Sequence, residues 1–293
     1  SKKEWAALFP NEQSCLAYLE DLRWRDGFSC PGCRGTDFWR IRSGVRQCRH
    51  CNRRVTVTSG TLLHRTRKPI KDWMEAAWHV CNQKYGGNAL GLQRTLAHGS
   101  YHTSWEWLHR LRHAMVMPGR TLLDGEVEVD ETFIGGVKHG KRGRGAHGKS
   151  LVMIAAEIRG VAIGRIRLQV IPDTTSDTLL CAVQGLVVRG SNVVTDGLSS
   201  YAGLAADGYN HTVSRSTPEI GKNLLPHVHR VAALLKRWLL GTHQGSVAPD
   251  RLQSYLDEFV FRFNRRAAKH RGLLFNALLT QLVRAGPISR QAL

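Results

Sequence analysis

Four cysteines and two aspartates offer the most evident chemistry in this 293-residue sequence. Cys30 and Cys33 in "CPGC" and Cys48 and Cys51 in "CRHC" form the pattern C-x2-C-x14-C-x2-C. Each pair makes a tight knuckle, with Pro31 and Gly32 favouring the turn in the first. Four thiolates at this spacing suit one tetrahedral Zn²⁺. Between the pairs, "FWRIRSGVRQC" predicts a short hairpin closed at Ser43 and Gly44. The region therefore reads as a zinc ribbon, in which the metal supplies folding energy that ~30 residues cannot supply by burial alone.

The aspartates lie further on. "DGEVEVDETFIGG" alternates Val127 and Val129 with Glu126, Glu128 and Asp130, the pattern of a strand with one acidic face. In "SNVVTDGLSSY" a short apolar run, Val193 to Thr195, ends in Asp196 and a glycine turn. An aspartate at the end of a strand can reach out from a sheet edge. If the two strands are neighbours, Asp130 and Asp196 can share metal ions. Two Mg²⁺ ~3.5–4 Å apart can clamp the attacking and leaving oxygens of a phosphodiester displacement.

The elements that must hold these residues follow from the patterning. Residues 1–27 read as a helical lead-in, with Cys15, Leu16, Leu19 and Leu22 on one face. Residues 28–60 form the ribbon. Residues 68–117 read as helices: an apolar stripe runs through Ile70, Trp73, Met74, Ala77, Trp78 and Cys81, and two further helices follow. Asn88 is placed to cap the first of these, "HGS" makes the turn, and Thr103 with Glu106 fits a capping box for the second. In that last helix Leu108, Leu111 and Met115 point inward, and His109, Arg110, Arg112 and His113 are expected outside. A helix, a short glycine-containing turn and a basic helix make a helix-turn-helix for DNA, a plain helical bundle being the alternative. From residue 122 to 293 strands alternate with helices. Three strands, a helix and a strand give the order of an RNase H-like α/β domain. The expected fold is thus multidomain: zinc ribbon, helix-turn-helix domain and C-terminal α/β RNase H-like domain.

Composition agrees with a polyanionic partner. Lys plus Arg outnumber Asp plus Glu by 42 to 23, a formal net charge of +19, which favours nucleic acid. The Gly-rich loop "KHGKRGRGAHGK" supplies Lys138, Lys141, Arg142, Arg144 and Lys149 for a DNA backbone. No run of 18 apolar residues suggests a membrane span. "SKKEWAALFP" lacks the apolar run of an export signal. Paired cysteines in such a chain point to metal rather than disulfides, and to a cytoplasmic, nucleoid-associated protein.

"VEVDETFIGG", "VVTDGLSSY", "HVHRVAALLKRWLLGTHQG" and "YLDEFVFRFNRR", with the cysteine pairs and "GGNALGLQRTLAHGSYHTSWEWLHRLRHAM", make the chain resemble the ISXO-like insertion-sequence transposases. These are DDE-type enzymes related to Merlin transposons. The resemblance implies structural zinc, a Mg²⁺ or Mn²⁺ pair, cleavage at terminal inverted repeats and joining of 3′-hydroxyls to target DNA, with at least a dimer on the duplex. It implies Asp130 and Asp196 as the first two acidic ligands. The third acid of such enzymes is followed seven residues on by a basic residue. Here Lys236, beside Arg237, is the basic residue expected on DNA phosphates, and His229 stands where the acid should be. An imidazole removes a negative charge from a site that binds a hard cation. Three roles remain open for His229: a weak or water-mediated magnesium ligand, a group that contacts the scissile phosphate or relays a proton, or an inert residue replaced by Glu219, Asp257 or Glu258. The last two acids have a competing explanation, ion pairs with Arg262, Arg265 or Arg266. Two other functions fit the same residues: an RNase H-like nuclease or resolvase that cuts without joining, and a zinc-dependent DNA-binding regulator with a decayed core.

Overall fold

The computed structural model describes residues 2–117, 119–135, 149–214, 224–244 and 247–289. The chain divides into two compact units, Ser1–Pro118 with Ala268–Leu293, and Gly119–Ala267. Among the described residues no helix is long and apolar enough to cross a membrane.

The first unit begins with helices α1 (Lys2–Leu8) and α2 (Glu12–Arg23). The ribbon follows as β1 (Phe38–Arg42), β2 (Val45–Cys48) and β3 (Arg54–Thr56), an antiparallel sheet in that order. The β1–β2 hairpin closes at Ser43–Gly44 as the sequence predicts, with Gly44 at φ +76°. The lead-in helix does more than precede the ribbon. The Glu20 carboxylate accepts the Gly44 N–H and meets Arg40 at 3.3 Å, and Arg23 donates to the Thr56 carbonyl at 2.6 Å. Then come α3 (Ile70–Asn82), α4 (Ala89–Leu96) and α5 (Tyr101–Ala114). Asn88 caps α4 as expected, accepting from Gly91 N–H at 2.7 Å. The capping box at Thr103 and Glu106 does not form. Ser100 is the cap of α5, accepting from His102 N–H at 3.2 Å, and Glu106 faces His102 instead at 3.4 Å.

The second unit holds β4 (Glu126–Ile134), β5 (Ser150–Arg159), β6 (Ala162–Ile171), α6 (Ser176–Leu186), β7 (Asn192–Thr195), a 3₁₀ turn (Ser199–Leu204), β8 (Asn210–Val213), α7 (Pro226–His243) and α8 (Leu252–Phe263). The sheet order is β6-β5-β4-β7-β8, antiparallel among the first three and parallel from β4 to β8. This is the RNase H-like arrangement. Alternation along β4 explains the two layers on the sheet. Val127 and Val129 join Leu179, Val183 and Leu186 of α6 on one face. On the other face, Val228, Val231, Leu235 and Leu239 of α7 and Leu256, Phe259 and Phe263 of α8 cover Ile154 and Leu168. Edge strand β6 is guarded by amide side chains of α8 and its C-cap. Asn264 bonds both backbone groups of Ile166, and Gln253 bonds Val170 N–H and Leu168 C=O. An exposed strand edge is thereby blocked from pairing with another chain.

The last helix, α9 (Arg271–Arg284), belongs to the first unit rather than to the α/β unit. Its Phe275 packs with Phe9, Tyr18 and Trp78, and Asn276 bonds the Tyr18 hydroxyl at 2.6 Å. The strand–helix pattern that assigned residues 122 to 293 to one domain cannot show this return, because an amphipathic helix carries no mark of the surface it covers.

Candidate active site

The register of the sheet brings the two aspartates together. β4 and β7 run parallel, with Glu126 opposite Asn192, Val127 opposite Val193 and Glu128 opposite Val194. Continued by two residues, this register sets Asp196 level with Asp130, on strands ~4.8 Å apart. Asp196 lies just past the strand end, its Oδ1 accepting from Leu198 N–H at 3.0 Å. Gly197 makes this turn possible. It holds φ +87°, and a Cβ there would lie 2.8 Å from Val213.

Glu128 and Asp130 share the face of β4 that α7 covers, and each meets that helix. α7 starts with Pro226 and has no side-chain cap of its own. The buried Glu128 carboxylate supplies one: its Oε2 accepts from the N–H groups of His227 at 2.8 Å and Val228 at 2.9 Å, and its Oε1 stands 2.6 Å from His227 Nδ1. Two residues further along the strand, Asp130 Oδ2 lies 3.1 Å from His229 Nε2. The helix is thus docked at its first turn by one carboxylate, and its His229 meets the next acid on the same strand face.

Glu131 performs a similar task on the opposite face. It accepts the hydroxyl hydrogen bond of the fully buried Tyr201, which sits in the 3₁₀ turn that follows Asp196. Burial pushes the Tyr201 phenol far up, reinforced by the charges of Glu131, Asp130 and Asp196, so it remains a neutral donor. Burial likewise raises Asp130 above the usual carboxylate range, and the charge of Asp196 adds to this, while the Glu131 N–H and His229 pull the other way. Desolvation and a like charge are what a cation between two carboxylates relieves. Glu128 and Glu131 escape a reading by pattern alone, since the alternation shows an acidic strand face but not what the acids hold.

Of the remaining candidates, Lys236 and Arg237 are exposed, Lys236 two helical turns along α7 from His229, with the exposed Ala233 between them. Lys149 is exposed at the start of β5. Lys138, Lys141, Arg142, Arg144 and Glu219 lie outside the described residues. The two other substitutes for the third acid are engaged elsewhere. Glu258 is buried in an ion pair with Arg262 at 2.9 Å, and Asp257 accepts from Gln253 at 3.0 Å. Burial lifts the Asp257 carboxyl to about 6.

In α5 the expected outer face is largely inside. His109 and Arg112 are both buried. Arg112 donates to the Gly87 carbonyl at 3.1 Å, and the His109 ring packs on Trp105. Arg110 is half-buried, 3.4 Å from the carbonyls of Leu62 and Ile288, and only His113 of the four is exposed. Partners around α5 come from distant parts of the chain, so one apolar stripe understates how much of it is covered.

The second chemical cluster is the cysteine set. The sulfurs of Cys30, Cys33, Cys48 and Cys51 all lie within 4.8 Å of one another, with Cys30–Cys51 and Cys33–Cys48 each at 3.5 Å. Zinc–sulfur bonds of ~2.3 Å place sulfurs at about this separation. The N–H groups of Cys33 and Gly32 favour the Cys30 thiolate and draw its thiol down to about 6. The donor set fits a structural zinc.

Comparison with known proteins agrees with this arrangement. Residues 122–264 match the ISXO2-like transposase domain, and residues 10–54 match the transposase zinc-ribbon domain. The zinc-ribbon match includes α2, the helix that clamps the hairpin. An uncharacterized protein in transposable element ISH50 of Halobacterium salinarum is 27% identical over 281 residues, spanning 87% of this chain and 91% of that protein. Among solved structures, the catalytic core domain of BIV integrase overlaps 50% of this chain and 86% of its own at 15% identity and a TM-score of 0.33. The Mos1 strand transfer complex overlaps 75% and 78% at 15% identity and a TM-score of 0.31. With scores this low, the strand order itself defines the fold.

Proposed function

We propose that this chain, which carries the transposase zinc ribbon and over residues 122–264 belongs to the ISXO2-like transposases, cuts the ends of a mobile DNA element and joins the freed 3′-hydroxyls to target DNA. The observation that supports this reading is that Asp130, in the middle of β4, lies 3.1 Å from His229 on the first turn of α7, while Asp196 follows the neighbouring parallel strand β7. Asp130 and Asp196 are the residues to hold Mg²⁺ or Mn²⁺. Bound there, divalent ions polarise the scissile phosphate and activate the attacking hydroxyl.

The protein's own groups do the positioning. Glu128 fixes the start of α7, and Glu131 with Tyr201 fixes the turn after Asp196. His229 is half exposed and bonded to Asp130; its proposed role is to orient that carboxylate and to meet the phosphate or pass a proton. Lys236 and Arg237 extend a cationic track along α7 for the DNA backbone. Structural zinc in the four-cysteine cluster orders the ribbon. Two element ends must be held together, so the working form on DNA is a dimer or larger, acting in the cytoplasm at the nucleoid.

The test is direct. Labelled DNA carrying the element's ends, incubated with the protein and Mg²⁺ or Mn²⁺, is expected to yield end-joined products. Asp130→Asn and Asp196→Asn should each lower joining by about 10³-fold or more, with DNA affinity kept. Cleavage without joining would make the protein a nuclease, and binding without any reaction would make it a regulator.

A further inference from the structure

The zinc ribbon has two unlike faces. The face toward α2 is filled: Arg46 lies between the Trp24 and Phe38 rings at 4.0 and 4.1 Å, and Arg40 pairs with Glu20. The other face holds Trp39, Gln47 and Arg54 in one row, Trp39 opposite Gln47 and Gln47 opposite Arg54 across the three strands. Trp39 is 55% exposed, and the Arg49 guanidinium stacks 3.8 Å over its ring. Ile41 beside it is 48% exposed. Arg54 Nε reaches Gln47 Oε1 at 3.4 Å, which orients the amide on the surface. From Cys30 to Arg54 the ribbon carries seven arginines and a single acid, Asp37.

We propose that this outer face enters the major groove of the element's end DNA, with Gln47 and Arg54 reading base edges and the Arg49–Trp39 stack resting on the backbone. The proposal rests on the transposase reading and adds to it the surface that selects the sequence. Three strands span ~10 Å, a fit to a groove ~12 Å wide that is known to admit β-ribbons. Glutamine pairs bidentately with adenine and arginine with guanine in that groove. The excess of arginine supplies the attraction to phosphate. An exposed tryptophan under a guanidinium gives an apolar plate with a charged edge, suited to a sugar–phosphate strand or a thymine methyl.

Selection from a pool of random-sequence 40-base-pair duplexes, with the full chain loaded with zinc, tests this. The wild type is expected to enrich a motif. Gln47→Ala and Arg54→Lys should each erase the preference at one or two adjacent positions of it, by about five- to a hundredfold. Gln47→Glu should turn a preferred adenine into cytosine, a gain that loss of fold cannot imitate. About one zinc per chain in each variant checks that the ribbon is intact. Absence of a wild-type motif, an unchanged motif in all three variants, or an equal loss of affinity for every sequence overturns the proposal. The assay needs no cleavage. Failed joining beside a ribbon-dependent motif would refute the transposase reading and leave this one standing.

Discussion

The zinc ribbon and the candidate site around Asp130 and Asp196 are both small constellations of four or fewer key side chains, yet they are built by opposite means. In the ribbon, Cys30 and Cys51 meet across 21 residues of chain, and the ligands come in pairs whose spacing nearly dictates their geometry. In the α/β unit, Asp130 and His229 meet across 99 residues, on a strand and a helix with nothing local to join them. There the geometry is carried by the carboxylates on either side of Asp130. Glu128 docks α7, Glu131 docks the turn after Asp196, and Asp130 lies between them on one strand. Four thiols spaced for one metal ion define the first site; buried acid–amide and acid–phenol contacts unite the second.

The largest effect that would separate the two regions is removal of zinc. A strong chelator should release about one zinc per chain and abolish amide exchange protection over β1–β3, since structural zinc contributes ~10 kcal/mol or more to such folds. Protection over β4, β5 and β7 should persist. Parallel loss in both would show that the sheet also depends on the metal.

The carboxylate anchors come next in expected effect. Glu128→Ala leaves two N–H groups of α7 without their acceptor and is expected to cost about 2–4 kcal/mol in unfolding free energy. It should also slow joining at least tenfold more than it weakens DNA binding. Glu128→Gln, which keeps an acceptor, should recover much of both. A stable Glu128→Ala protein that joins DNA at the wild-type rate would show that Glu128 does not position the site.

A smaller effect comes from a carboxylate with no such role. Asp257 has its carboxyl raised to about 6 by burial. Between about pH 4 and 6 the folded state therefore keeps a proton that the unfolded state has lost. Stability falls as pH rises through that window, by about 2–3 kcal/mol, and the whole cost is present above it. Asp257→Asn should return that stability at pH 7.5 and flatten the dependence, as read by denaturant unfolding. Equal pH profiles for the two proteins would show that Asp257 is solvated.

How much the sequence reveals follows the same division. Spacing exposes the four cysteines, and period-two alternation exposes β4 with its acidic face. The glycine after Asp196 marks the strand end. What stays hidden depends on long-range partners. Arg112 and His109 look like a solvated basic face until Gly87 and Trp105 are seen against them. α9 looks like the end of the α/β domain until Phe275 is seen beside Phe9 and Trp78. A recurring device explains part of the difficulty. α3, preceded by Pro69, lacks a side-chain cap of its own just as α7 does, and the Glu12 carboxylate accepts the N–H groups of Ile70 and Lys71 at 2.7 and 2.8 Å. Helix starts capped from another element carry no capping residue in their own segment.

In the proposed site an imidazole serves where a third acid is expected. Single-turnover joining of labelled element ends in Mn²⁺ by the wild type and His229→Ala separates this role from an inert one. His229→Ala is expected to lower the joining rate about tenfold to a hundredfold with end-DNA affinity unchanged. A His229→Ala protein that joins ends at the wild-type rate would contradict it.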